Sequence, residues 1–170
     1  DDVRLTAAYA FVNQFPAEGH ENISQPEHRP WQQIQWFMRW PKARLMQSVR
    51  MEERFRRKIL DDNTLADGCN YNPRIRYNFA LFLPLTKKGF NSGGLQFLLN
   101  NEVMVNFGKN IVYNHFDQNR FFAGLAYQIN PYAQLQGGYM NLYQQLPVGN
   151  QFRNQHTIRI FYFHNFDLRK

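Results

Sequence analysis

The sequence predicts an all-β protein: an up-and-down antiparallel sheet of about eight strands, closed into a barrel. Three observations predict it. Hydrophobicity alternates with period two over repeated segments of roughly nine to thirteen residues, with almost no helical stripe. Turn signals such as Pro41-Lys42 and Asn130-Pro131 separate the segments. In nearly every segment one parity is apolar and the other polar or ionic, the mark of a sheet with two different faces.

The segments follow in order. Val3 to Asn13 sets Val3, Leu5, Ala7, Tyr9 and Phe11 against Arg4, Thr6, Ala8 and Ala10, and a Pro-, Gly-, His- and Glu-bearing loop from Phe15 to Arg29 follows. Trp31 to Trp40 sets Ile34, Trp36, Met38 and Trp40 against Gln33, Gln35, Phe37 and Arg39. Ala43 to Arg57 is the most informative: Leu45, Val49, Met51 and Phe55 oppose Arg44, Ser48, Arg50, Glu52, Arg54 and Arg56. Asp61 to Asn72 reads as a polar loop. Pro73 to Leu83 then sets Ile75, Tyr77, Phe79, Leu81 and Leu83 against Arg74, Arg76, Asn78 and Ala80. Leu95 to Phe107 offers Phe97, Leu99, Val103 and Val105 opposite Gln96, Asn100, Glu102 and Asn106, with Asn101 intruding on the apolar side. Arg120 to Ile129 sets Phe121, Ala123, Leu125, Tyr127 and Ile129 against Arg120, Phe122, Gly124 and Gln128. Ala133 to Tyr143 sets Leu135, Gly137, Tyr139 and Tyr143 against Gln134, Gln136 and Gly138. His156 to Leu168 sets Ile158, Ile160, Tyr162, Phe166 and Leu168 against Thr157, Arg159 and Asn165.

With 170 residues, the chain fits a single domain spanning residues 1–170. Apolar residues at 44% and aromatics at 16% exclude a disordered chain. The longest apolar run, Phe79 to Leu85, is far short of a membrane-spanning helix. Asp1-Asp2 leads straight into a patterned segment, so the expectation is that a signal peptide never existed or has been removed. Cys69 is the sole cysteine, which excludes an intrachain disulfide and a multi-cysteine metal site. The net charge of +7 comes from 14 Arg and 6 Lys against 13 acids. Nonspecific phosphate binding accepts either cation, whereas planar bidentate pairing in a crowded space favours Arg, so the bias points to internal networks.

A two-faced sheet fits either a soluble barrel with its apolar side inward or a membrane barrel with it outward. Strands of about ten residues match the roughly 9–11 needed to cross the hydrocarbon at a tilt. Connections alternate long (14–29, 59–72, 107–118, 146–154) and short (41–42, 84–94, 130–132), as when loops and turns lie on opposite sides of a membrane. Aromatics fall near strand ends, where girdles belong. The lipid-facing girdle candidates are Tyr9, Trp36, Trp40, Tyr77, Tyr127, Tyr143, Tyr162 and Phe166, with Phe11, Trp31 and Tyr132 also near ends. The fold class expected is therefore a transmembrane barrel in the cell outer membrane, its partners being outer-membrane lipid and other envelope proteins. Phe15 to Arg29 and Asp61 to Asn72 are expected outside the cell, and the turns at 41–42 and 130–131 in the periplasm.

The ordered runs RPWQQIQWFMRW, RLMQSVRMEERF, NPRIRYNFALFLPL, NNEVMVNFG, FDQNRFFAGLAYQI, LQGGYMNLYQ and HTIRIFYFHNF cover almost the whole chain. Together they resemble an uncharacterised family of small outer-membrane β-barrels from Bacteroidota-type bacteria, a domain-of-unknown-function family. The pieces that carry the resemblance are Arg50-x-Glu52-x-Arg54, Arg74-x-Arg76, Asn101-Glu102-Val103, and Gln118-Asn119-Arg120 followed by Gly124 and Tyr127. Members begin with further strands, one bearing a Trp, ahead of the segment equivalent to Val3 to Asn13. The resemblance thus implies ten to twelve strands if N-terminal ones are missing here. It implies a location and a fold, and no activity.

The candidate lumen network is Arg44, Arg50, Glu52, Arg54, Arg74, Arg76, Glu102, Arg120 and Arg159, joined on the same parity by Arg4, Arg39 and Arg56. An Arg at the lipid midplane costs roughly 2–4 kcal/mol, so a membrane barrel must turn these inward. There they form an ion-paired plug or, through the arginine excess over two inward glutamates, an anion site. No catalytic residue is identified: of Ser24, Ser48 and Ser92 only Ser48 is mid-strand, and no His shares its segment. His20, His28 and His115 read as loop residues, and His156 and His164 as interfacial ones. Glu18, His20, Glu21, Glu27 and His28 crowd one loop, but their spacing matches no metal site, and no cofactor is expected. The leading expectation is a non-enzymatic barrel with a structural or partner-binding role. A narrow anion-preferring pore is the alternative. A soluble basic barrel binding single-stranded nucleic acid is a further one, which would place aromatics and arginines on one face, whereas the alternation places them on opposite faces.

Overall fold

The computed structural model describes residues 2–17 and 19–166. Eight strands form one antiparallel sheet in sequence order: β1 (Asp2–Gln14), β2 (Gln25–Trp40), β3 (Ala43–Asp61), β4 (Thr64–Pro84), β5 (Leu95–Asn106), β6 (Phe116–Gln128), β7 (Ala133–Gln145) and β8 (Phe152–His164). Every strand pairs with its successor. The expected closure is absent, because β1 and β8 are the two edges of the sheet and do not pair with each other. The sheet is nonetheless curled. Gln14 on β1 and Arg153 on β8 line one cavity, and Met46 of β3 packs on a cluster of Ala80, Leu98, Phe122 and Ala126 contributed by β4, β5 and β6. Residues of one parity therefore share an interior, and those of the other form the convex surface.

Burial is inverted relative to an ordinary water-soluble core. The convex side exposes Leu5 (77%), Ile158 (81%) and Ile160 (72%), together with Val3, Ile34, Ile75 and Leu125, while Glu52 is 1% exposed and Arg74 6%. Two glycines set the local shape of β6 and β7. Gly124 lies opposite Gly138, and a Cβ on Gly124 would fall 2.4 Å from the Gly137 carbonyl oxygen and 2.8 Å from Phe122 Cζ. The Phe122 ring thus lies over backbone that a side chain would otherwise cover.

Several boundaries differ from the sequence expectation. The polar loop expected over Asp61 to Asn72 is instead a continuation of β3 and β4, turning at Asp62-Asn63 with the Asn63 amide donating to Asp61 Oδ1 at 2.9 Å. The arm pairs mainly with itself and is largely solvated on both faces, so it carries no apolar alternation to read. β2 likewise begins at Gln25, so the loop after β1 spans only 15–24. The connection 85–94, expected to be short, is as long as 15–24, and Phe90 within it covers Arg44. One end of the sheet, the loop end, carries 15–24, the Asp62-Asn63 turn, 107–115 and 146–151. The other, the turn end, carries 41–42, 85–94 and 129–132. β8 stops at His164, which leaves Phe166 beyond it, and Leu168 and Glu18 lie outside the described residues.

Candidate functional site

The interior is built by cross-strand register. Glu52 on β3 sits directly opposite Arg74 on β4, and Arg50 opposite Arg76. Arg74 donates to Glu52 Oε2 through Nε at 2.8 Å and Nη2 at 2.5 Å, while Arg76 Nη1 donates to Glu52 Oε1 at 2.7 Å. Arg76 continues diagonally to Glu102 Oε1 on β5 through Nε at 3.0 Å and Nη2 at 2.6 Å. Arg50 and Arg120 join more loosely, each 3.8 Å from a carboxylate oxygen, of Glu52 and Glu102 respectively. Such forked contacts supply the hydrogen bonds without which buried charges are costly.

Of the candidate lumen residues, Arg50, Glu52, Arg74, Arg76, Glu102 and Arg120 come together in this cluster. Arg54 belongs to a second. It donates to Glu27 through Nε at 2.9 Å and Nη2 at 3.1 Å, beside Arg29 at 2.7 Å and Arg56 at 3.1 Å. Arg44 and Arg159 stand apart from both. Arg44 lies 3.9 Å from the Phe90 ring centroid, and Arg159 lies 4.0 Å from that of Phe161 and 4.7 Å from that of Phe122.

Two acids missed in the sequence complete the clusters. Glu27, 4% exposed, falls in the loop that the sequence predicts over Phe15 to Arg29, yet the β2 alternation runs unbroken from Gln33 back through Trp31 and Arg29 to it. Asp117 has the parity of the apolar face. A bulge pairs Met104 with Gln118 but Val105 with Phe116, so Asp117 is left over and turns inward, where it accepts from Arg74 Nη1 at 2.5 Å. Among the described residues the acids paired in the two clusters are therefore four, and the excess of arginine is smaller than two glutamates imply.

Aromatics are not confined to the convex face as the alternation suggested. Trp31, expected near a girdle, points inward with Arg50 stacked 4.0 Å from its ring centroid, and Phe37 receives Arg4 and Arg39 at 5.6 and 5.7 Å. Among the girdle candidates, Tyr9, Trp40, Tyr127, Tyr143, Tyr162 and Phe166 are exposed, and Trp36 is half-buried. Tyr77 is exposed as well but stands in the middle of β4 rather than near its end, its hydroxyl donating to Gln47 Oε1 at 2.5 Å. His28 is on the convex face of β2 against Tyr9, rather than in a loop, and His156 and His164 lie against Tyr139 and Tyr162. The acidic and histidine-bearing loop is thereby taken apart: Glu27 and His28 are in a strand, on opposite faces. His20 binds Asp62, tying the loop at 15–24 to the tip of the β3–β4 arm. Among the described residues no group of three or more His, Cys, Asp or Glu side chains is placed to hold a metal ion.

Toward the loop end the clusters line a polar cavity of about 490 Å³ that also takes Asn106, Gln118 and Gln144. Every inward carboxylate there is held by at least one guanidinium. No curated protein and no solved structure matches the chain. The model of the family described as protein of unknown function, DUF2490, does match, over residues 1–166, and the chain, with its eight-stranded sheet and Arg/Glu interior, belongs to that uncharacterised family.

Proposed function

We propose that this chain is a non-enzymatic transmembrane β-barrel of the bacterial outer membrane, its interior occluded by the Arg/Glu clusters, serving a structural or partner-binding role in the envelope. The observation that carries the reading is the inverted burial: apolar side chains on the convex face of a curled sheet, ion pairs on the concave one. In water such a surface is an aggregation hazard, and in hydrocarbon it is the favourable arrangement. Hydrocarbon also tolerates no unpaired strand edge, so the free edges of β1 and β8 must be paired there, with each other or through added strands. The partners that follow are outer-membrane lipid around the convex face and other envelope proteins at the loops.

A non-enzymatic role is supported by the carboxylates themselves. Glu27, Glu52, Glu102 and Asp117 are each engaged by guanidinium groups, which suits structure and not proton abstraction. The same engagement favours occlusion over an anion pore. Nucleic-acid binding through stacked bases needs free rings, and the interior rings Trp31, Phe90, Phe122 and Phe161 are covered by arginines.

The test is insertion. Wild-type protein should fractionate with the outer membrane, run with heat-modifiable gel mobility, and show no steady conductance in a planar bilayer. Leu125→Arg, on the convex face, should cost roughly 2–4 kcal/mol in the membrane and cut inserted yield sharply, whereas Asn78→Arg, facing inward beside Glu102, should not. Equal losses would remove the lipid-facing assignment. Anion-selective single-channel steps from the pure protein would establish a pore instead.

A further inference from the structure

Toward the turn end, a second cavity of about 750 Å³ lies under β3 to β8. Its walls are mainly apolar, formed by Met46, Ala80, Phe82, Leu98, Met140 and Phe161. That volume falls in the roughly 300–1,000 Å³ range of sites that enclose small ligands. Two arginines reach this cavity, Arg120, which lies 3.8 Å from Glu102, and Arg159, which stands on the apolar wall. Arg159 is sandwiched by two rings, its Nε is buried with no hydrogen-bond partner, and Nη1 reaches only Met140 Sδ at 4.0 Å. No carboxylate among the described residues lies within ion-pairing distance of it, in contrast to every arginine of the Glu27 and Glu52 clusters. The nearest inward acid lining the cavity, Glu102, is already held by Arg76.

A buried guanidinium Nε with no acceptor is costly, and stacked rings cover the faces of the half-buried Arg159 head without satisfying its in-plane donors. Its planar edge suits a carboxylate or phosphate oxygen, and the surrounding wall suits hydrocarbon. We propose that this chamber binds one single-chain amphiphilic anion, with its head on the Arg159 edge and its apolar tail along Met46, Ala80, Phe82, Leu98 and Met140. The chamber goes beyond the occluded-barrel reading: it extends toward the turn end from the ion-pair cluster, of which it touches only Glu102 and Arg120.

Native mass spectrometry of the full chain in the uncharged detergent tetraethylene glycol monooctyl ether tests this, with sodium laurate as the probe. One laurate should bind per chain. Acetate and inorganic phosphate, which have the head alone, should not compete at equal concentration, and neither should dodecyltrimethylammonium, which has the tail with the wrong charge. Arg159→Gln should weaken laurate binding roughly tenfold or more, and Arg159→Lys by less. Met140→Trp, which obstructs the tail's path beside Arg159 and keeps the arginine, should also weaken it, and decides the matter if Arg159→Gln fails to fold. Laurate binding indifferent to both substitutions overturns the proposal, as does equal binding of phosphate or of the ammonium amphiphile. Fractionation separates the two readings: a chain that inserts but does not bind laurate loses the chamber alone, and one that binds but stays out of the membrane loses the barrel alone.

Discussion

The two ends of the interior handle the same residue type in different ways. Toward the loop end, Arg29, Arg54, Arg56, Arg74 and Arg76 meet carboxylates at hydrogen-bonding distance. Toward the turn end, Arg4, Arg44 and Arg159 meet rings instead, and an apolar cluster of Leu98, Phe122 and Ala126, with Met46 packed on it, stands beside the chamber. The first region is stabilised by charge neutralisation and collapses if one sign is removed. The second is stabilised by apolar packing and carries its cations as passengers. Parity dictates that an arginine points inward, but what it meets depends on which residues the register brings opposite it.

Substitutions at the two ends should therefore differ in size and even in sign. Glu52→Gln should show the largest effect, about 3–5 kcal/mol of lost stability, because Arg74 and Arg76 keep their charges and lose the anion between them. Urea unfolding of the detergent-solubilised protein, followed by tryptophan fluorescence, measures it. Phe122→Ala should cost about 3–4 kcal/mol in the same assay, as a large side chain only 1% exposed is removed from a packed cluster. Its loss should be unaffected by a second change at Glu52, since the ring touches neither cluster, and strong coupling would erase the division into two regions. At Arg159 the sign should invert: Arg159→Met removes an unpaired cation from an apolar wall and should stabilise by about 1 kcal/mol, whereas Arg74→Met should destabilise. The smallest change is expected at the solvent-exposed rim of the turn end, where Arg39 shares the Phe37 ring with Arg4. The Arg39 and Asp2 side chains are 56% and 61% exposed, and Arg39→Gln should alter stability by less than about 0.5 kcal/mol.

The residues missed in the sequence were hidden by local features rather than by weak signals. Prolines at 26 and 30 read as loop punctuation, although both sit at the β1-facing side of β2, opposite Asn13 and Tyr9, and leave the alternation intact. Extending that alternation backward would have found Glu27. Asp117 offered no such route, because a bulge changes parity and nothing in Phe116-Asp117-Gln118 announces one. Trp31 resembles a girdle residue only if its strand starts there, and β2 starts six residues earlier, at Gln25. The β3–β4 arm was unreadable for a different reason: alternation reports a difference between two environments, and the arm has solvent on both sides.

What the sequence determined by itself was therefore whatever depends on parity and turn chemistry alone: eight antiparallel strands in order, and the division of their residues into an apolar face and an arginine-bearing polar one. These follow from the two-residue repeat of an extended chain, which fixes side-chain direction without reference to any other strand. Which arginine meets which acid, that Asp117 turns inward, that Arg44 and Arg159 stack on rings, and that the edges of β1 and β8 remain unpaired were decided only by the tertiary structure. Each depends on register, on a bulge or on how far the sheet curls, and those are properties of strand pairs and of the whole sheet, set by the packing of residues distant in sequence.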